Sequence, residues 1–254
     1  GSWPGLSAVL VLGDNQYENG ALAKYQQSYG PSWGALLALT RPVPGNHEYL
    51  TAGASGYYTY FGSAAGDPAK GWYSYDLGAW HLVALNSNCA AIGGCGAGSP
   101  QQAWLEADLL ANLGKCTLAY WHHPRFSSGP HGDDASTDAF WRTLYRFGAD
   151  VVLNGHDHIY ERFHRQTPWA VADASAPRQF TVGTGGKNHT SVVSLRPNSA
   201  FTDAATFGAL RLTLQPAAYT YEFVSEAGAV LESGSTACHL RTAERALAYY
   251  SLAP

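Results

Sequence analysis

The chain has 254 residues and a mass of 27.2 kDa, room for one large α/β domain or two small ones. Hydrophobic residues make up 46% of it and charged residues 13%, with 28 Gly, 13 Pro, 16 Tyr and 8 Trp, which excludes a disordered chain, a coiled coil and collagen. A net charge of -4 and a pI near 6.2 provide no basic field for a nucleic-acid backbone, so no nucleic-acid partner is expected, and a phosphate-binding site would need metal ions.

In chain order, Ala8 to Leu12 reads as a short buried strand ending at Gly13-Asp14, followed by helix-compatible residues from Gly20 to Tyr29. Trp80 to Asn86 and Cys116 to Trp121 are further strands. Between them, Ser99-Pro100-Gln101-Gln102 predicts a helix start, a capping box with proline at the first position, and Leu105, Leu109 and Leu113 form the apolar face. Ser136 or Thr137 caps a second helix, lined by Phe140, Leu144 and Phe147 and stopped by Gly148 before the strand Val151 to Asn154. Beyond Arg178 come strands and turns, at Gln179 to Val182, Leu210 to Leu214, Tyr219 to Val224 and Val230 to Glu232. The pattern is that of an α/β chain with an antiparallel second half. It reads as one domain over residues 1–238 with a short appendage over 239–254, for which no function is expected.

No run approaches the ~18 apolar residues of a membrane-spanning helix, so no membrane partner is expected. The chain contains no Met, and Gly1 to Gly5 has neither the charged nor the apolar region of a signal peptide, so a processed or cut product is expected. Cys89 and Cys95 flank a glycine-rich loop short enough for a disulfide, which points to an oxidising compartment. Cys116 pairs with Cys238 by elimination or remains a buried thiol.

Chemistry gathers at four strand ends: Gly13-Asp14-Asn15-Gln16-Tyr17, Gly45-Asn46-His47-Glu48, Trp121-His122-His123-Pro124 and Gly155-His156-Asp157-His158. In an open α/β sheet, ligands bind beyond the carboxyl ends of the strands, so these segments can converge. In an extended backbone His156 and His158 project to the same side, and both can face one cavity. Imidazole, carboxylate, phenolate and amide oxygen without thiolate suit iron, zinc or manganese. His123 would point the other way from His122 and suits a supporting role, as do Glu48 and Asp157. His81, His164, His189 and His239 read as ordinary surface or core histidines.

The ordered set Gly13-Asp14-x-x-Tyr17, Gly45-Asn46-His47-Glu48, His122-x-Pro124 and Gly155-His156-x-His158 resembles the calcineurin-like metallophosphoesterases, and Tyr17 makes it similar to their purple acid phosphatase branch. The resemblance runs from about Ala8 to Arg165, and Gly183-Thr184-Gly185-Gly186 also looks like this family. It implies an α/β fold with two mixed β-sheets packed as a sandwich flanked by helices. It implies hydrolysis of a small phosphate ester, a monoester before a diester, at two metal ions, iron with zinc, manganese or iron. Asp14 would bridge the metals, Tyr17 and His158 would bind the first, and Asn46, His122 and His156 the second. Hydroxide made available by the metals would attack phosphorus in line, with His47 as proton donor and His131 as a further substrate-facing histidine.

One part of the pattern is missing. The family's first motif places an Asp at the end of an earlier strand, and this chain has no Asp before Asp14. The first metal would keep three protein ligands, and an edge of the strand Ala8 to Leu12 would lie open. The expectation is a bacterial, secreted phosphatase that is truncated or has lost this motif. The alternative is a degenerate secreted domain that binds metal or phosphate without turnover.

Overall fold

The computed structural model describes residues 5–239; the proposed appendage 239–254 therefore lies, beyond His239, outside the described residues. The chain runs through β1 (Val9–Leu12), the short helix α1 (Leu22–Lys24), β2 (Thr40–Val43), α2 (Ser55–Phe61), β3 (Tyr73–Leu77), β4 (Trp80–Ala84), α3 (Pro100–Ala111), β5 (Cys116–Tyr120), α4 (Asp138–Phe147), β6 (Val151–Asn154), β7 (Tyr160–Phe163), β8 (Arg178–Val182), β9 (Ser199–Asp203), β10 (Gly208–Gln215), β11 (Ala218–Ser225) and β12 (Val230–Ala237).

A seven-stranded mixed sheet in the order β3-β4-β5-β6-β8-β7-β9 forms one layer. Its centre is parallel from β4 through β5 and β6 to β8. Strands β4, β5 and β6 are buried along their whole length, which is why they read as continuous apolar runs. Their side chains alternate: Leu82, Leu118, Tyr120 and Leu153 face one core, and Val83, Ala119 and Val152 the other. The first core is closed by a second layer in two pieces, the parallel pair β1-β2 and the antiparallel β10-β11-β12. The sandwich is thus an α/β arrangement of mixed sheets, and among the described residues β1 pairs with β2 alone. The other core is closed by α3 and α4 through Leu105, Leu109, Phe140, Trp141, Leu144 and Phe147. Among the described residues, no helix is long and apolar enough to cross a membrane.

Local departures from the sequence expectation have physical causes. The Ser99 side chain accepts from Gln102 N as a capping box requires, but the Gln102 side chain reaches one residue further back, to Gly98 N. Neither Ser136 nor Thr137 caps the α4 region with its side chain; Asp134 does so, accepting from Ser136 N in the turn that precedes the helix. The segment from Gly20 is helical only from Leu22, and after Lys24 it widens into one turn of π-helix over Tyr25–Tyr29. That turn leaves Tyr25 and Tyr29 both buried in an aromatic cluster with Tyr57, Tyr58 and Phe61. All four cysteines are bonded, Cys89 to Cys95 and Cys116 to Cys238. The second bridge closes a separation of 122 residues from β5 to the end of β12, a constraint on the unfolded chain that stabilises on the order of 5 kcal/mol in the loop-entropy model.

His81, read from sequence as ordinary, is a buried fastener. Its Nδ1 lies 2.9 Å from Asp76 Oδ1 on β3 and its Nε2 2.7 Å from Asp108 Oδ2 on α3, while Lys115 pairs with Asp76 at 2.6 Å. Burial opposes its charged form, yet the hydrogen bonds and charges of Asp108 and Asp76 outweigh that and raise its pKa above the ordinary value. A raised folded pKa stabilises fully below the unfolded value of about 6.5, and that contribution is lost as pH rises through the folded value. His81→Gln is therefore expected to lower stability by about 2 kcal/mol at pH 5.5 and by less at pH 8.5. Thermal denaturation of both proteins at the two pH values checks this; an equal loss at both contradicts it.

Candidate metal centre

β1 and β2 run parallel, as do β5, β6 and β8, and the loops leaving the carboxyl ends of these strands meet in one place. From β1 and β2 come Asp14, Tyr17, Asn46, His47 and Glu48. Glycine is required where these loops touch: a Cβ on Gly45 would fall 2.2 Å from Asp14 Oδ1, and one on Gly13 2.4 Å from His122 Nδ1. Asp14 itself has φ 48° and His156 has φ 68°, left-handed values that favour glycine. Both are candidate ligands, and strain of this kind persists where the surroundings over-determine it.

Glu48 supplies much of that determination at Asp14. Fully buried, it accepts from Asp14 N (2.9 Å), Asn15 N (2.8 Å), Gln16 N (3.2 Å), Gly45 N (2.7 Å) and Tyr25 Oη (3.0 Å). Burial and the Asp14 charge push its pKa up, against the Gly45 N–H, the His122 imidazole and the Tyr25 hydroxyl.

Two donor sets meet at Asp14. His122 Nε2 lies 3.2 Å from Asp14 Oδ2, 3.1 Å from Asn46 Oδ1 and 3.1 Å from His156 Nδ1. Tyr17 Oη lies 3.3 Å from the same Asp14 Oδ2 and 3.0 Å from His158 Nε2. His122 Nδ1 is 2.8 Å from the Leu12 carbonyl, to which it can only donate, so in the neutral ring Nε2 carries a lone pair. Carboxylate, amide and imidazole lone pairs then face one another across about 3 Å. Such a set repels itself unless a proton or a cation sits among it, and it therefore fits a metal ion.

The charges agree. Burial works to raise the Asp14 pKa, but the His122 and His47 imidazoles and the His47 N–H hold it well below the usual carboxylate range. Burial and the repulsion of His122, His123 and His131 lower His156 to about 2, so its ring stays neutral and able to ligate. His122 goes the other way, because Asp14 and Glu48 outweigh its burial. Burial and the Asp14 and Glu48 charges push the Tyr17 phenol far up.

All the site residues read from the sequence lie in or around this cluster. A cavity of about 150 Å³ is lined by Asp14, Tyr17, Asn46, His47 and the histidines His131, His156 and His158. His156 and His158 share it through tight turns, Asp157 N to Gly155 O and Ile159 N to Asp157 O, instead of the extended backbone expected. Between them Asp157 turns inward and accepts from His131 Nδ1 (2.7 Å) and from the Ser127 hydroxyl. His123 was expected to face away from His122, but β5 ends at Tyr120, alternation stops there, and the two rings lie 4.8 Å apart. One nitrogen each of His122, His123 and His156 lies within 4.8 Å of the others. A second such group, Cys116, Asp150 and Cys238, is no metal site because both sulfurs are spent in a disulfide.

Sequence reasoning missed Ser87, Gln101 and Lys187. The Gln101 amide brackets Asn86, accepting from its N and donating to its O. That fixes the loop carrying Ser87, whose hydroxyl accepts from His123 N (3.0 Å) and lies 2.7 Å from His123 Nδ1. The same hydroxyl thus holds both the backbone and Nδ1 of His123, which suits the supporting role. Burial and the His122 charge lower His123 to about 3. Lys187 lines the cavity one residue past the glycine motif after β8.

The model of the family described as Calcineurin-like phosphoesterase matches residues 4–160. Purple acid phosphatase 23 of Arabidopsis thaliana is 31% identical over 223 residues, 71% of this chain and 46% of that protein. Purple acid phosphatase 15 of the same plant is 27% identical over 215 residues, 70% of this chain and 40% of that protein. The chain thus spans less than half the length of these relatives. Among solved structures, a purple acid phosphatase from yellow lupin (Lupinus luteus) seeds shares the fold with a TM-score of 0.78 at 20% identity, covering 95% of this chain and 48% of that one.

Replacing Glu48 with Gln leaves at most one oxygen for five donors. Glu48→Gln is expected to cost about 3 kcal/mol of stability and to weaken zinc binding by the folded protein, read by denaturation midpoint and calorimetric titration. Wild-type values for both would remove Glu48 from its role as organiser of the site.

Proposed function

Because the chain belongs to the calcineurin-like phosphoesterase family, we propose that it hydrolyses phosphate esters, a small monoester before a diester, at a centre of two metal ions. The observation that carries this is the position of Asp14 Oδ2, common to both donor sets, 3.3 Å from Tyr17 Oη and 3.2 Å from His122 Nε2. Asp14, Tyr17 and His158 would hold one cation, and Asp14, Asn46, His122 and His156 the other. Imidazole, carboxylate, phenol and amide oxygen without thiolate favour iron paired with zinc, manganese or iron. Two such cations supply Lewis acidity toward the ester and a water made nucleophilic near neutral pH.

The chain's own groups do the rest. His47 is placed by its N–H to Asp14 Oδ1 (3.0 Å), by its ring against Tyr17 and by Nδ1 on the Glu18 carbonyl. With Nδ1–H so engaged, Nε2 is the nitrogen left for the leaving alkoxide, and it hands over a proton from the imidazolium form, leaving the ring neutral. His131, its Nδ1 on Asp157, is oriented in the same way and as the imidazolium would donate Nε2–H to a phosphoryl oxygen. The narrow cavity favours a phosphoryl group with one ester arm leaving through the mouth. The two disulfides support a secreted protein. A second reading, a binding domain without turnover, draws on the unequal donor sets, three groups against four.

Metal-loaded protein is expected to hydrolyse an aryl phosphate faster than an aryl phosphodiester, and His156→Ala to lower that activity more than about a hundredfold. Ferric iron on the Tyr17 phenolate gives a visible charge-transfer band, expected to vanish in Tyr17→Phe. Activity unchanged in His156→Ala overturns the site, and a colourless iron-loaded wild type overturns the iron–phenolate assignment.

A further inference from the structure

The glycine motif after β8 has no chemistry of its own, but its surroundings show what it delivers. Gly183 passes directly against the backbone of Asp157: its N–H donates to the Ile159 carbonyl at 3.0 Å, and a Cβ there would fall 1.9 Å from the Asp157 carbonyl. Thr184 is then pinned to Gly208, accepting from its N–H at 3.1 Å and donating through Oγ1 to its carbonyl at 2.9 Å. Past that anchor Gly185 and Gly186 stand clear of the protein, and Gly186 has φ +124°, a value that favours glycine. The turn they make carries Lys187 back over the cavity. Its Nζ lies 4.5 Å from the centroid of the Tyr17 ring and is ion-paired with Glu18. Among the described residues lining the cavity, Lys187 is the only Lys or Arg.

We propose that Lys187 is the specificity-determining residue of this site, selecting doubly charged phosphoryl groups over singly charged ones; the proposal rests on the phosphoesterase reading above. The other groups at the mouth are the Glu18 carboxylate, the Tyr17 ring and the His47 and His131 imidazoles. Against them Lys187 brings a compact ammonium with three donors on a flexible stem. Its ammonium is parked on Glu18, the residue after Tyr17, whose side chain is 71% exposed, so a surface pair of this kind binds weakly and can be exchanged for another anion. A phosphate monoester, arriving as a dianion, offers the ammonium an oxygen that Glu18 cannot match in charge. A diester, a monoanion with its second arm in the mouth, gives Lys187 less charge and no free outer oxygen beyond those already engaged deeper in the cavity. Glu18 therefore acts as the internal competitor, and the two residues have opposite effects on affinity.

The test uses the whole metal-loaded chain with inorganic phosphate as the binding probe and an aryl phosphate and an aryl phosphodiester as substrates. Lys187→Gln is expected to weaken phosphate binding, read by calorimetry, and to raise KM for the aryl phosphate about tenfold, with kcat and the diester KM changed less than about twofold. Glu18→Gln is expected to do the opposite, tightening phosphate about two- to threefold. It should have no such effect in the Lys187→Gln background, a dependence that a merely structural lysine would not produce. If wild type binds phosphate and turns over ester while Lys187→Gln matches it, or loses both substrates equally, the assignment of Lys187 is wrong and the phosphoesterase reading stands. If metal-loaded wild type neither binds phosphate nor hydrolyses either ester, both fall together.

Discussion

Glu48 is held with both carboxylate oxygens turned toward the backbone N–H groups of Asp14, Asn15, Gln16 and Gly45. Three consecutive N–H groups directed at one point form a nest for an anion. Here the anion is internal, and it joins the loop after β1 to the loop after β2. Those strands share only four residue pairs, too few to fix the loops beyond them. The Tyr25 hydroxyl completes the shell, so the aromatic cluster around α2 is coupled to the same carboxylate. The outcome at Asp14 is specific. Its backbone is held at a left-handed φ, its Oδ1 accepts from His47 N, and its Oδ2 is left to face Tyr17 on one side and His122 on the other.

The electrostatics of the cluster follow from crowding like groups in a dry place. His156 and His123 are held neutral to about 2 and about 3, by burial first and neighbouring imidazoles second. A neutral ring with a free lone pair is what a cation needs, so burial leaves His156 able to ligate. Tyr17 is the converse case. Burial and the carboxylates of Asp14 and Glu48 keep its phenol protonated without a cation, and a cation's own charge reverses that balance. A cation taken up at Tyr17 as proposed would therefore release a proton.

Much of the architecture was legible because burial leaves a plain trace. Strands β4, β5 and β6 are covered on both faces and read as unbroken apolar runs, and the ligand motifs stand at strand ends, where a parallel sheet assembles its site. What escaped was set by partners remote in sequence. His81 looks ordinary until Asp76 on the paired strand and Asp108 on α3 close on it. His123 turns toward His122 because β5 stops at Tyr120 and Ser87, placed by Gln101, binds its ring. The backbone of His156 is left-handed where alternation predicted an extended chain, though its ring reaches the same cavity as that of His158. Lys187 carries no motif; only the folded turn shows where it arrives.

Asp157 explains how groups from different loops stay in register. Its neighbours His156 and His158 carry the ligand rings, its carboxylate holds His131 and Ser127, and its carbonyl lies where a side chain on Gly183 would have to be. One residue thus references the His156 and His158 rings, His131 and the start of the Lys187 turn to a single stretch of backbone. Since productive geometry tolerates errors of only about 0.5 Å, a common origin matters more than the strength of any one contact. The side chain of His131 is 50% exposed and packs on one side only, against the His156 ring at 4.0 Å. It holds its position through a fully buried carboxylate, which converts the rigidity of the core into order at the cavity mouth.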